Sequence, residues 1–419
     1  MITFICNKCS KEFNNKSKFT QHLKRKTSCE KIEQVQEQVQ EQEQEKVQEP
    51  IKKKEIDCNK SKLGQFYTTN YNYILQSLNI TVPNVDNIIE PFAGNGDLIK
   101  FIKEQEQEQE QEQFVIECYD IDPKQDFIIK RDTLLNPPNF ENKYIITNPP
   151  YLARNKCKDK TMFDKYDTND LYKCFLEIII KDVCLGGIII VPLNFISSMR
   201  KSDCELRQKF INKYNIINLN IFEENVFNDT KYSVCSFNFE KIESKTEIES
   251  KTESKIEYES VINCTIYPSK TKLSLKLNKN NNYTVGGEIY NLGIKNTKFK
   301  IDRATKLTKN TDCITNILLK CIDDSIQNKI KLSITDDDNK FIDTTKDLSA
   351  RSYATLVIEP KIDIKKQEEL AQKFNIYLNE QREKYNSLFL TNYRESNTIA
   401  RKRISFQLAF QICKHLLVS

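Results

Sequence analysis

The chain of 419 residues has no tryptophan, three methionines and only two histidines. His22 lies near one end and His415 near the other. Histidine is therefore not available as a general base anywhere in the middle of the chain. No apolar run is long enough to span a membrane, and the polar amino terminus does not read as a secretory signal. Charge of one sign is lacking too: 64 basic against 59 acidic residues leave a net charge of +5. Binding to nucleic acid must then come from local basic stretches rather than from the molecule as a whole. The 14 cysteines show no regular spacing beyond the first thirty residues. That pattern fits reduced thiols and an intracellular, soluble protein.

Among the features present, Asn148-Pro149-Pro150-Tyr151, which closes the apolar run Tyr144-Ile145-Ile146-Thr147, is the most informative. An amide, a carbonyl beside a prolyl ring and an aromatic face at one strand end suit a planar ring with an exocyclic amine. Asn-Pro and Pro-Pro are also ordinary turn formers, so the tetrapeptide reads equally as a strand and its turn. The segments around it narrow the choice. Upstream, Ile88-Ile89-Glu90-Pro91-Phe92-Ala93-Gly94-Asn95-Gly96-Asp97-Leu98 predicts a strand, a glycine turn and a helix start. A second strand, Phe114 to Asp120, ends in an acid followed by Ile121 and Asp122, and Asp132 follows Lys130-Arg131. Glycine loop, acid, acid and Asn-Pro-Pro-Tyr thus each fall at the carboxyl end of an expected strand, where open α/β sheets bind ligands.

In this order the motifs resemble those of the S-adenosylmethionine-dependent amino-methyltransferases, specifically the DNA adenine-N6 type, from about Leu63 to Phe239. Gly64-Gln65-Phe66-Tyr67-Thr68-Thr69 resembles the family's amino-terminal cofactor motif, with Thr69 in place of a usual proline. By resemblance the cofactor is S-adenosyl-L-methionine, held by Thr68, Glu90, Phe92, Gly94, Gly96, Asp120, Ile121 and Asp132. Asp120 corresponds to the ribose-binding acid and Asp132 to the acid beside the adenine of the cofactor. Asp170 to Glu177 resembles the next family helix, Gly186 to Pro192 the strand after it, and Asn225-Val226-Phe227-Asn228 the start of a hairpin carrying a second base-stacking aromatic. Phe227 and Asp132 also read simply as a core aromatic and a solvated loop acid.

The chemistry that the resemblance implies needs no histidine. If Asn148 and the carbonyl of Pro149 accept the two hydrogens of an exocyclic amine, with Pro150 shaping the turn, the nitrogen can pyramidalise toward an activated methyl group. Inside duplex DNA that amine is out of reach, so the base must be flipped and stacked, here between Tyr151 and Phe227. DNA methylation in a restriction-modification setting would imply double-stranded DNA as partner, a cognate restriction endonuclease beside it, and no membrane.

A separate module occupies residues 1–30. Cys6, Cys9, His22 and Cys29 have zinc-ligand spacing, stretched between the last two, with Phe4, Phe13 and Phe19 as a small apolar core. They resemble a C2HC-like ββα zinc finger holding a structural Zn2+. With a helix beginning near Lys16, Asn15, Lys18 and Gln21 take the base-reading positions, and Lys24, Arg25 and Lys26 face phosphate. A protein-binding finger fits the same residues. Three low-complexity tracts follow: Glu30 to about Glu49 in a linker over 31–60, Glu104 to Gln113 inside the catalytic domain of 61–240, and Glu240 to Glu259 in a charged linker over 241–260.

Residues 261–419 occupy the place of a target-recognition, DNA-binding domain. There 352–358 predicts a strand, 367–390 a long helix with Leu370, Phe374 and Leu378 inward, and Arg394, Arg401, Lys402 and Arg403 a basic cluster. The expected fold class is α/β: a Rossmann-like class I methyltransferase sheet, an α+β carboxyl-terminal domain and a small ββα finger. The expected activity is transfer of a methyl group to adenine N6 of DNA. An RNA adenine or protein glutamine methyltransferase, or an inactive DNA-binding relative, stays open beside it. Abundant Asn, Lys and Ile without Trp fit an AT-rich genome, such as that of a large DNA virus or a protist, with a viral factory or host nucleus as the site of action.

Overall fold

Strands buried on both faces read as unbroken apolar runs, and Tyr144–Thr147 and Gly186–Pro192 are buried at every position. They lie in a computed structural model that describes residues 4–6, 12–13, 15–23, 64, 68–80, 82, 85–108, 114–227, 232–242, 261–292, 298–325, 329–342, 352–396 and 399–418. Two compact units result, Met1–Ile56 and Asp57–Ser419.

In the first unit, β1 (Phe4–Ile5) pairs antiparallel with β2 (Glu12–Phe13), and α1 spans Lys16–Leu23. Phe13 meets Phe19 at 5.8 Å and His22 at 4.9 Å between ring centroids. Cys6 and His22 are buried, whereas Asn15, Lys18 and Gln21 are exposed. Cys9, Cys29 and Lys24 to Lys26 lie outside the described residues. Among the described residues no group of three His, Cys, Asp or Glu side chains converges on a metal position.

The second unit begins with the short α2 (Tyr71–Ile74) and then alternates strand and helix. In chain order come β3 (Asn87–Glu90), α3 (Asp97–Glu108), β4 (Val115–Asp120), β5 (Ile129–Lys130) and β6. The last of these is Tyr144–Thr147. Then follow α4 (Thr161–Tyr166), α5 (Leu171–Lys181), β7 (Gly186–Pro192), α6 (Asn194–Ser197), α7 (Lys201–Ile211), β8 (Tyr214–Phe222) and β9 (Val234–Lys241). Their order in the sheet is β5-β4-β3-β6-β7-β9-β8, parallel except for β9. This is the open Rossmann-like α/β sheet expected from the motif order. The parallel members aim their carboxyl ends to one edge, which fixes where a ligand can sit.

The sheet does not stop where the motif resemblance does. β10 (Val261–Tyr267) adds parallel to β8, and β11 (Thr271–Lys276) adds antiparallel to β10, making nine strands. The expected domain start at 261 therefore falls inside the sheet. Alternation of buried Ile262, Cys264 and Ile266 gives β10 an inward face that continues the existing core. A separate antiparallel sheet, β12-β15-β13-β14, forms from β12 (Lys300–Arg303), β13 (Ile314–Lys320), β14 (Lys331–Ile334) and β15 (Tyr353–Glu359). The 22-residue helix α8 (Ile364–Tyr385) follows, with Leu370, Phe374 and Leu378 buried. The helix ends earlier than its apolar spacing predicts. Asn386, in the left-handed region at φ 44°, caps it, and Leu388, Phe389 and Leu390 are buried in the turn beyond. A hairpin of β16 (Thr391–Ser396) and β17 (Ile399–Arg403) leads into α9 (Phe406–Val418). The Arg394 and Arg401 side chains lie outside the described ones. No helix among the described residues is long and apolar enough to cross a membrane.

At the start of β7 the backbones are so close that side chains are excluded. A Cβ on Gly187 would come 2.5 Å from the carbonyl oxygen of Ile145 and 2.9 Å from the ring of Phe239. Gly187→Ala is expected to lower stability by about 1–3 kcal/mol through overpacking. Urea unfolding of the variant checks this; an unchanged midpoint would mean that the strands can part at no cost.

Candidate active site

The loop after β3 is held by hydrogen bonds to the next strand. Gly94, at φ 53°, donates its N–H to Oδ2 of Asp120 at 2.8 Å, and Ala93 donates to the carbonyl of Tyr119 at 2.8 Å. Asp120 is buried, and its other oxygen accepts the N–H of Asp122 at 2.8 Å. One carboxylate thereby fixes both the glycine loop and the turn after β4. After β5, Asp132 accepts the N–H groups of Leu134 and Leu135, each at 3.1 Å, while the Thr133 hydroxyl donates to the carbonyl of Pro91 at 2.8 Å.

These turns and the end of β6 enclose a cleft of about 260 Å³. Of the residues singled out in the sequence, Phe92, Gly94, Asp120, Ile121, Asp132, Asn148 and Pro150 line it. Leu134, Met162 and Phe163 supply an apolar side that no motif announced, joined by Leu171 from the segment Asp170 to Glu177. They come from connections and helix starts, where hydrophobic spacing looks like ordinary core. Thr68, Glu90 and Gly96 stand outside the lining. Thr68 reaches the site through Asn148, whose Nδ2 donates to its hydroxyl at 3.1 Å. Gln65 to Tyr67 and Asn228 lie outside the described residues.

Glu90 sits behind the cleft and is fully buried. Its Oε1 accepts the Thr147 hydroxyl at 2.7 Å and the Phe92 N–H at 3.2 Å, whereas Oε2 has no hydrogen-bond partner among the described residues. Burial pushes the carboxyl up to about 8, with the Thr147 and Phe92 hydrogen bonds pulling the other way. An orphaned buried carboxylate oxygen, two further acids and a glycine loop fit a ligand that carries hydroxyls and positive charge.

The two aromatics expected to sandwich a base are both buried, Tyr151 at 2% exposure and Phe227 at 5%. Tyr151 donates its hydroxyl toward the carbonyl of Ile190 at 2.9 Å and toward Oδ1 of Asn148. Its ring packs edge-on against Tyr172 and Tyr232, 6.2 and 5.8 Å away. Neither Tyr151 nor Phe227 presents a free face, so the expected sandwich is absent from this conformation. Tyr232 is only half-buried and opens into a second cavity. Placement of Tyr151 also depends on Gly64, whose carbonyl accepts the Tyr151 N–H at 2.9 Å; at φ 70°, a Cβ there would lie 2.8 Å from the carbonyl of Tyr151.

The second cavity is a groove of about 1230 Å³ lined by six cationic side chains and two carboxylates. The segment after Asn-Pro-Pro-Tyr is a wall between the two. Leu152, Cys157 and Asp159 line the cleft, whereas Arg154, Lys156 and Lys160 line the groove. Asp170 pins that wall by accepting the N–H of Leu152 at 3.1 Å. Burial pushes the Asp170 carboxyl up to about 6, with Lys173 opposing the shift.

No protein-family model and no curated protein sequence matches the chain. Solved structures similar to it include a type I restriction-modification methyltransferase subunit from Streptococcus thermophilus, at 13% identity and a TM-score of 0.34, with 49% of this chain and 48% of that one covered. The M protein of the type I restriction enzyme EcoKI matches at 15% identity and a TM-score of 0.28, covering 40% and 45%. The type IIL restriction-modification enzyme MmeI, solved with DNA, matches at 11% and 0.34, covering 56% and 40%. The chain spans less than half the length of each of these three.

Because the Glu90 pKa is raised on folding, its contribution to stability is fully present below the ordinary carboxylate range and is lost as pH rises through about 8. Glu90→Gln keeps an acceptor for Thr147 and Phe92 but cannot ionise. The variant is expected to hold a flatter melting temperature between pH 5 and 8 than the parent. Parallel pH profiles for the two proteins would contradict this account of the buried acid.

Proposed function

We propose that the chain is an S-adenosyl-L-methionine-dependent methyltransferase acting on adenine N6 in double-stranded DNA. The observation that carries this reading is the shared cleft: the glycine loop, Asp120 and Asp132 line the same 260 Å³ as Asn148 and Pro150. Bound there, S-adenosyl-L-methionine would supply an activated methyl group. Asp120 would hold its ribose, Asp132 its adenine beside Ile121, and Phe92 and Gly94 the chain between.

Asn148 is oriented for the acceptor. With Nδ2 given to Thr68, its oxygen faces Tyr151, and a carbonyl oxygen has two lone pairs to offer. It can take the Tyr151 hydroxyl and one amine hydrogen together, with the Pro149 carbonyl accepting the second. Withdrawal of both hydrogens localises the nitrogen lone pair, and the remaining task is positioning. Tyr151 then acts by holding Asn148, and Tyr232 supplies the ring on which the flipped base stacks. The cationic groove supports a polyanionic substrate, because Lys156 and Arg200 are exposed and make no ion pair among the described residues.

Cys6, Cys9, His22 and Cys29 are proposed as the ligands of a structural Zn2+ in a finger that adds DNA affinity. Support comes from the ββα element order, buried Cys6 and His22, and exposed Asn15, Lys18 and Gln21. A cognate restriction endonuclease as partner is part of the same proposal.

Methyl-labelled cofactor offered in parallel with duplex DNA, RNA and a protein extract tests the function. N6-methyladenine in DNA is the expected product; label in RNA or glutamine moves the substrate. Asn148→Ala is expected to abolish transfer while cofactor affinity, read by calorimetry, stays nearly unchanged; comparable turnover in that variant would sink the mechanism. Deleting residues 1–50 is expected to keep turnover and weaken DNA binding. Undiminished binding would reassign the finger to a protein partner.

A further inference from the structure

The groove has two chemically different walls. One is cationic, with Arg154, Lys156 and Lys160 on the segment after Asn-Pro-Pro-Tyr and Arg200 and Lys201 before and at the start of α7. Another part carries carboxamides, among them Gln407 and Gln411 from α9 and Asn282 from the turn after β11. Cations neutralise phosphates without regard to sequence, whereas carboxamides offer a donor and an acceptor side by side.

Gln407 and Gln411 are one helical turn apart and share a face. The opposite face of α9 is fixed, with Leu408, Ala409, Ile412 and Cys413 buried. Ser405 anchors the start of the helix by accepting the N–H of Leu408 at 3.1 Å. Gln407 is exposed and Gln411 half-buried, and neither side chain makes a hydrogen bond among the described residues. Asn282, by contrast, donates to Oδ1 of Asn291 at 3.3 Å. Two unengaged carboxamides on a helix whose other face is buried thus share one groove with phosphate-binding charge.

We propose that Gln407 and Gln411 are sequence-reading residues of the DNA methyltransferase argued above, each recognising an adenine through its N6 and N7 atoms; the proposal rests on that function. A carboxamide oxygen accepts from N6 while its NH2 donates to N7, a bidentate match offered by adenine alone. Residues four apart on a helix are separated by about 6 Å along its axis, and base pairs by about 3.4 Å. The two glutamines therefore address positions about two base pairs apart. Tyr232, on the same groove, marks the place of the flipped base.

The test uses the full chain and a pool of duplex DNA with a randomised segment, methylated in vitro and mapped for N6-methyladenine. The parent protein is expected to mark a defined site. Gln407→Ala and Gln411→Ala should each lose adenine preference at one position, the two positions about two base pairs apart. On the parent site each should lose about tenfold to a hundredfold in kcat/KM, the measure of one bidentate contact, with cofactor affinity unchanged. Arg200→Ala should slow all sequences alike. Full retention of the parent site preference by both glutamine variants, or a uniform loss like that of Arg200→Ala, overturns the assignment while leaving the function standing. A parent protein that methylates no DNA overturns the function itself, and this assignment with it.

Discussion

The carboxylate of Glu90 is the constraint around which the site is arranged. It stands at the end of β3, takes the hydroxyl of Thr147 and the N–H of Phe92 on one oxygen, and leaves the other without a partner among the described residues. Through those two bonds the residue before Asn148 is tied to the loop that carries Gly94, so the acceptor amide and the glycine turn cannot drift apart. The cost is real, since an unsatisfied buried acceptor is worth about 1–3 kcal/mol against folding. Its raised pKa, near 8, is the same cost seen in protonation. A fold with no need of a ligand would gain by an apolar residue here.

A second buried charge shapes the groove. Arg207 is 0% exposed. Its guanidinium makes hydrogen bonds to the carbonyls of Phe195 and Ser198 at 2.7 and 2.6 Å, and also to the carbonyl of Tyr283 and the hydroxyl of Thr284. Two stretches of chain, 195–198 and 283–284, are thereby drawn to one planar donor set. The turn at 282–284 is brought against α7 and holds Asn282 at the groove. Farther along, Glu223 at the end of β8 pairs with Lys402 at 2.7 Å, which anchors β17 just before α9. The hairpin of β10 and β11 is what makes this possible, because it carries the chain from the sheet edge to that turn.

The parallel sheet and the cleft were legible because their signals are local. Buried strands give apolar runs, with Gly94 and Asn148 just past β3 and β6 and Asp120 closing β4, while Asp132 is placed by its position after the short, exposed β5. What remained hidden depends on contacts between distant residues. Nothing in the sequence near Tyr151 says that its hydroxyl turns inward to Asn148 and the carbonyl of Ile190, since a tyrosine after Pro-Pro reads equally as exposed. Tyr232 carries no motif, and its value comes from lying beside Tyr151 at 5.8 Å. Continuation of the sheet into β10 was obscured by the Lys/Glu/Ser/Thr tract before it, which looks like the end of a domain. The helical periodicity of α8 ran past its true end because Leu388, Phe389 and Leu390 are buried without being helical.

The two cavities also sort their ligands by charge. Asp120, Asp132 and Asp159 line the cleft against the single cation Arg131, an excess of acid that favours a small cationic or hydroxyl-rich molecule and disfavours a polyanion. The groove reverses that sign, with six cations against two acids. On the proposed function, a phosphodiester strand would be held out of the cleft by charge as well as by the wall from Leu152 to Lys160. That wall is pinned at its base, where Asp170 binds the N–H of Leu152 and Arg154 donates its own N–H to the carbonyl of Asn169 at 2.9 Å. Contact between the two ligands is then confined to the end of β6, where Asn148 meets Tyr151 in front of Tyr232. Under the proposed function, an extruded nucleobase, neutral and planar, is the group that would reach that point.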